Sequence, residues 1–437
     1  MKNVGILAVE KMREEGIGEL AIRVFQQNVE TVARGEAGYI REDEIRPLTE
    51  VPRIQHQASG SAIRQTAVIK LNGGLGTSMG LEKAKSLLHV TPEKTFLDII
   101  VAQVMAVREQ HGAGLPLIFM NSFHTESDTA DYLARFENLA VEGIPLSFLQ
   151  NRVPKLLRSD LSPVSHPQNP ALEWCPPGHG DLFTALPGSG LLEALLERGY
   201  RYAVVSNSDN LGAYPAPALA QWFADSGAPF AMEICKREPS DRKGGHLAVR
   251  ESDGKIILRE VAQTAPEDLD QFQDITRHSY FNTNTLWLDL EALSEELTKR
   301  DGYLGLPVIR NAKTVDPSDP DSAEVYQLET GMGSAIEVFE GSRAIEVDRS
   351  RFLPVKTTND LLLIRSDVYD VAETGILTKM VAHTPSIDLD PAHFGHIANF
   401  EQRCEHVPSL VGASSLTVSG DYTFPAGSIV TGDTTLP

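Results

Sequence analysis

Along the chain, hydrophobic positions gather into short runs rich in β-branched and aromatic residues. Stretches whose apolar positions recur at helical spacing separate them. The runs at residues 66–71, 116–121, 146–150, 200–206, 230–235, 255–261 and 284–290 read as strands. Residues 95–110, 127–136 and 217–225 read as helices between them. Alternation of this kind predicts an α/β fold with a mixed, mostly parallel, doubly wound sheet. Ligands of such sheets sit beyond the carboxyl ends of the strands, so the candidate chemistry lies just after each strand.

Both ends of the chain read differently. Upstream, Ile22, Phe25, Val29 and Val32 fall on one helical face, and residues 53–61 form a polar connection. Beyond about Glu373, Gly, Ser, Thr and Asp punctuate short apolar residues, as in Ser415-Leu416-Thr417-Val418-Ser419-Gly420. Over residues 407–437 the apolar positions recur roughly every six residues, which suggests coils of a β-helix, with an edge hairpin as the plainer alternative. The expected organisation is a helical segment over 1–60, a central domain over 61–370 and a small terminal domain over 371–437.

Composition narrows the function. The 437 residues are 41% hydrophobic and 23% charged, as in ordinary globular proteins. Lys plus Arg number 39 against 60 Asp plus Glu, a net charge of −21. Such an excess argues against nucleic acid, whose phosphates demand a basic face, but leaves room for small phosphorylated ligands. Cys175, Cys235 and Cys404 show neither a disulfide framework nor metal spacing, so a reducing cytosol is expected. The longest mostly apolar stretch, near residues 97–107, is about half of what a bilayer requires, so no membrane partner is expected either.

After the first expected strand comes Lys70-Leu71-Asn72-Gly73-Gly74-Leu75-Gly76-Thr77-Ser78-Met79-Gly80. A glycine-rich loop at a strand end can bring bare backbone N–H groups against an anion. Neither standard phosphate loop fits: Gly76 is followed by Thr77-Ser78 rather than Lys-Ser/Thr, and Met79 stands where a dinucleotide loop needs glycine. Lys83 and Lys85 follow closely, and lysine suits phosphate binding as a mobile point charge.

Further along, Pro176-Pro177-Gly178-His179-Gly180-Asp181 is a turn-rich segment that presents His179. Asp181 reads equally as a helix cap or a ligand. Asn207-Ser208-Asp209-Asn210 ends an apolar strand, and a carboxylate there suits Mg²⁺, although Asx residues also make ordinary turns. The amides of Phe281-Asn282-Thr283-Asn284 suit sugar hydroxyls, and Lys356 follows a Pro-fixed extended segment. No nucleophile triad, catalytic cysteine motif or zinc spacing stands out. The inventory favours phosphoryl-type transfer, which depends on positioning and charge neutralisation.

Taken in order from about Ile69 to Asp360, these segments resemble the eukaryotic-type UTP–glucose-1-phosphate uridylyltransferases, also called UDP-glucose pyrophosphorylases. The resemblance also takes in Asn121-Ser122-Phe123-His124-Thr125, Lys243-Gly244-Gly245, Gln327-Leu328-Glu329-Thr330-Gly331-Met332-Gly333-Ser334-Ala335 and Arg351-Phe352-Leu353-Pro354-Val355-Lys356. It implies a nucleotidyltransferase domain, a C-terminal left-handed β-helix, and family oligomers that often use that region. It also implies Mg²⁺-dependent, reversible formation of UDP-glucose and pyrophosphate from UTP and glucose 1-phosphate. By the same resemblance, Leu71, Asn72, Gly73 and Gly74 hold the nucleotide, Lys85 and Lys356 meet phosphates, and Asp209 serves the metal. Gln150 and Gly178 read uracil, His179 and Asn207 lie by glucose 1-phosphate, and Gly245, Glu260 and Asn284 contact the sugar. The chain departs from the family's usual Cys-Lys-Gly-Pro-Lys-Ser with Leu81-Glu82-Lys83-Ala84-Lys85-Ser86, which keeps Lys85 and puts an anion at Glu82. Alternatives are the same reaction with galactose or N-acetylglucosamine 1-phosphate, a UDP-sugar-dependent transferase, or an inactive sugar-nucleotide sensor.

Overall fold

A computed structural model describes residues 4–35, 38–54 and 60–437 of the chain. Part of the expected connection at 53–61, namely residues 55–59, lies outside the described residues. The chain is a mixed α/β protein that divides into two compact units. One comprises residues 1–67, 143–205 and 218–347; the other comprises 68–142, 206–217 and 348–437.

In the first unit, helix Glu19–Ala33 forms where the helical spacing placed it. It buries Ile22, Phe25, Val29 and Val32, which pack with Ala8, Met12, Leu156, Trp174 and Leu328. Strand Tyr280–Asp289 runs antiparallel to Phe230–Lys236, and its end pairs antiparallel with residues 202–205. Arg343–Glu346 adds to Phe230–Lys236 in parallel. The hairpin of His246–Arg250 and Ile256–Arg259 continues the antiparallel side. Trp287 is fully buried, and its indole N–H donates to buried Glu233 Oε1 at 2.9 Å. A polar partner of this kind is what a buried Trp needs. Strand Tyr280–Asp289 begins four residues before the expected start at 284 because its amide-rich head also pairs. The pairing is interrupted by a register shift between Asn282 and Thr285. A second hairpin joins Val308–Thr314 to Glu324–Thr330.

In the second unit, residues 68–72 of strand Thr66–Asn72 lie parallel to Leu117–Asn121, in register from Val68 opposite Leu117 to Asn72 opposite Asn121. Helix Phe96–His111 crosses between them. It starts at Thr95, whose hydroxyl accepts from Asp98 N–H, and stops at left-handed Gly112. Its inner face buries Phe96, Ile99, Ile100, Val104 and Val107, so the strand–helix–strand crossover closes over one core. Three later strands, Ser386–Leu389, Ser409–Val418 and Ile429–Leu436, pair in parallel in chain order. All three cysteines are buried and none is in a disulfide, and burial pushes the thiols of Cys175 and Cys404 up to about 12. Among the described residues, no helix is long and apolar enough to cross a membrane.

Candidate active site

The glycine loop leaves its strand under strong restraint. Asn72 is buried and donates from Nδ2 to Asn121 Oδ1 at 2.8 Å and Thr129 Oγ1 at 2.9 Å. Ser208 donates to Asn72 Oδ1 at 3.0 Å, and the Ser208 N–H donates to Leu71 O at 3.0 Å. The hydroxyls of Thr125 and Ser122 donate to the carbonyls of Asn72 and Gly73 at 2.7 and 2.8 Å. The Asn121 to Thr125 motif is thus a brace for the loop. Gly73 is half-buried and Gly74 is exposed, so the tip presents backbone to solvent. Lys83 and Glu82 are also exposed.

Lys85 turns back to the loop, where its N–H donates to Gly74 O at 3.3 Å. Its ammonium lies 2.8 Å from Asp209 Oδ2. Both side chains are largely shielded, and Asp209 Oδ1 is buried with no partner. A buried acceptor with nothing donating to it is unusual and marks a place for a cation or a donor. Asn207 ends strand Tyr202–Asn207 and lies two residues before Asp209. The segment carrying Lys356 is held beside Asp209: Val355 N–H donates to Asp209 O at 3.1 Å, and Asn210 bridges Pro354. Lys356 itself is exposed.

Sequence reasoning missed two supports of this cluster. Asn210 is buried; its Nδ2 donates to Arg351 O at 3.1 Å and its Oδ1 accepts from Leu353 N–H at 2.8 Å. Lys70 is fully buried, and its ammonium donates to Ser206 Oγ and Ala213 O, each at 2.8 Å. A lysine inside an otherwise apolar strand was the available signal for the second. Nothing local marks the first.

The remaining candidates lie in the first unit. Gly178 has φ +81°, and a Cβ there would stand 2.6 Å from Thr330 O. Only glycine suits this left-handed, crowded position. Thr330 N–H in turn donates to Pro177 O at 2.9 Å. His179 follows, and its Nδ1 accepts from Met332 N–H at 3.0 Å. Its surface reaches solvent although the chain crowds around the ring. That crowding lowers its pKa, and the accepted N–H fixes Nδ1 as unprotonated, so His179 is neutral with its proton on Nε2. Gln150 directly follows strand Ser147–Leu149 and is half-buried.

Gly245 and Glu260 are brought together: a Cβ on Gly245 would collide with the Glu260 carboxylate. Glu260 opens the turn Val261–Gln263, where its N–H donates to Gln263 Oε1 at 3.0 Å. Asn282 N–H donates to Gly245 O at 3.2 Å, and Asn282 Oδ1 accepts from Asn284 N–H at 2.7 Å. Asn284 has φ +58°, inside the register shift of its strand. A bulge with a left-handed Asn re-aims side chains at a strand edge, a common device at functional sites.

The sequence profile described as UTP–glucose-1-phosphate uridylyltransferase matches residues 17–430. A UTP–glucose-1-phosphate uridylyltransferase of Hordeum vulgare is 38% identical, over 87% of this chain and 78% of its own. One of Saccharomyces cerevisiae is also 38% identical, over 84% of this chain and 72% of its own. The UDP-glucose pyrophosphorylase of Leishmania major, solved in open and closed structures, aligns with a TM-score of 0.93 at 43% identity, covering 100% of this chain and 95% of that one. A UDP-glucose phosphorylase of Trypanosoma brucei aligns with a TM-score of 0.90 at 39% identity, covering 99% of each chain. The ordered motifs, the glycine loop with its lysine–aspartate pair, and these likenesses agree: the chain belongs to the UTP–glucose-1-phosphate uridylyltransferase family.

Proposed function

We propose that the chain transfers the uridylyl group of UTP to glucose 1-phosphate, giving UDP-glucose and pyrophosphate, reversibly and with Mg²⁺. The observation that carries this reading is the Lys85–Asp209 pair beside the glycine loop, with Asp209 Oδ1 buried and unpartnered. Family membership supports the reaction, and a Leishmania major relative has been solved in complex with UDP-glucose.

The chemistry follows from charge. The phosphate of glucose 1-phosphate is already an anionic nucleophile, so the reaction needs no general base. It must approach the anionic α-phosphate of UTP. Asp209 offers the hard oxygen that Mg²⁺ prefers, and the ion when bound offsets phosphate repulsion. Lys85 and Lys356 supply the remaining positive charge, and the backbone from Leu71 to Gly74 cradles the nucleotide. Gln150 and Gly178 read the uracil. His179 and Asn207 bind glucose 1-phosphate, with the neutral ring of His179 donating from Nε2. Gly245, Glu260 and Asn284 meet the sugar hydroxyls; the contacts that join them through Asn282 support one shared subsite.

The division into a helical segment over 1–60, a catalytic domain over 61–370 and a terminal domain over 371–437 belongs to the same reading. The three parallel strands after Pro385 support coils of a left-handed β-helix there, a surface suited to a homo-oligomer. Cytoplasmic residence fits three cysteines that form no disulfide.

The test is pyrophosphate release from UTP with a panel of glucose, galactose and N-acetylglucosamine 1-phosphates. Glucose 1-phosphate should be preferred and release should require Mg²⁺. Preference for another sugar would move the substrate. No release, with transfer from UDP-glucose to an acceptor instead, would replace the reaction.

A further inference from the structure

Asp181 is a buried carboxylate that the proposed reaction leaves without a task. It stands at the start of helix Leu182–Gly188, yet its side chain makes no capping bond there. Its oxygens turn instead to Asn151. Oδ2 accepts the Asn151 backbone N–H at 2.6 Å, and Asn151 Nδ2 donates to Oδ1 at 2.9 Å and to Oδ2 at 3.1 Å. A buried carboxylate is tolerated only when donors surround it, and here one residue supplies them through both its backbone and its side chain. Burial pushes the carboxyl pKa up to about 7, against the pull of those donors, so the site holds its charge with difficulty.

The places that this contact joins give it meaning. Asn151 directly follows Gln150. The Asp181 N–H donates to Gly178 O at 3.2 Å, which closes the turn that carries Gly178 and His179. One residue therefore ties together two segments thirty positions apart, the two that are read above as the uracil site. A carboxamide such as that of Gln150 can satisfy either uracil or cytosine by turning over, since one end accepts and the other donates. Discrimination then requires the segment that bears it to be held in a fixed relation to a second reader, here the backbone at Gly178.

We propose that Asp181 is the positioning residue for nucleobase selection, a two-point clamp on Asn151 that holds the Gln150 and Gly178 segments in one register. The inference rests on the reading of Gln150 and Gly178 as the uracil site. Asp181→Asn keeps the size of the side chain but sets an amide against the Asn151 amide. It should raise the KM for UTP about tenfold, with the KM for glucose 1-phosphate and kcat within about twofold of wild type. The preference for UTP over CTP should fall in parallel. Asn151→Ala breaks the clamp from its other side and should have the same UTP-selective effect. The double variant should be no worse than either single one, because both remove a single interaction. If Asp181→Asn does not fold, Asn151→Ala carries the same readouts. Equal rises in both KM values, an unchanged UTP-to-CTP ratio in folded variants, or additive effects would overturn the clamp. Should the wild type release no pyrophosphate, the proposed reaction fails. The clamp is then judged by direct titration of UTP and CTP, where loss of discrimination supports it and retention rejects it.

Discussion

The ammonium of Lys85 lies 2.8 Å from Asp209 Oδ2, so the cation that we assign to substrate phosphates and the carboxylate that we assign to a metal neutralise each other. In the proposed reaction, substrate phosphates and the metal draw them apart. Lys85→Ala should then have two opposite effects. Turnover should fall about a hundredfold, while Mg²⁺ alone should bind more tightly, because the carboxylate loses its internal counter-ion. Calorimetric titration of Mg²⁺ without nucleotide checks the second effect, and unchanged Mg²⁺ binding would show that the pair does not compete.

Asp209→Asn keeps the shape and removes the charge. The Mg²⁺ concentration for half-maximal pyrophosphate release should rise at least roughly tenfold, since losing even a supporting group costs that much at metal sites. An unchanged Mg²⁺ titration would remove Asp209 from the metal site.

Lys356 is exposed, but its segment is tied to Asp209 through Val355 and Asn210. Lys356→Ala should lower kcat by about two to four orders of magnitude, by analogy with loss of a transition-state cation, and leave the melting temperature unchanged. Near-normal turnover in this variant would end that assignment.

Asp181 also predicts a pH dependence of stability. Its folded-state pKa of about 7 stands above the ordinary 3.8, so folding favours the protonated form. The stability it contributes is complete below pH 3.8 and is lost as the pH rises through about 7. The wild-type melting temperature should therefore fall relative to that of Asp181→Asn between pH 4 and pH 7.5. A constant difference across that window would contradict the assignment.

Much of this was legible in the sequence. Strand Thr66–Asn72 and helix Phe96–His111 differ from their expected bounds by a residue or so, because buried apolar runs and a Thr95 cap are local signals. The motifs were legible as motifs, and the fold explains why they occur together. Residues 327–335 hold Gly178 and His179 through Thr330 and Met332, and residues 351–356 lie against Asn210. What could not be read were the supports that act across long separations, such as Asn210 with Leu353 or Asp181 with Asn151. Asp181 illustrates the limit: its sequence position suggested a helix cap or a ligand equally, and tertiary contact turned it away from the cap to Asn151. The bulge at Asn284 was equally hidden, since an amide cluster in a paired strand looks like a turn.

The burial of Cys175, Cys235 and Cys404 has a practical consequence. With the first and last held as thiols far above neutral pH, the native chain offers little to alkylating or oxidising reagents. A cysteine placed at exposed Lys83, beside the glycine loop, would stand alone as a fast-reacting thiol. A fluorophore attached there would follow nucleotide arrival without any prior removal of native cysteines.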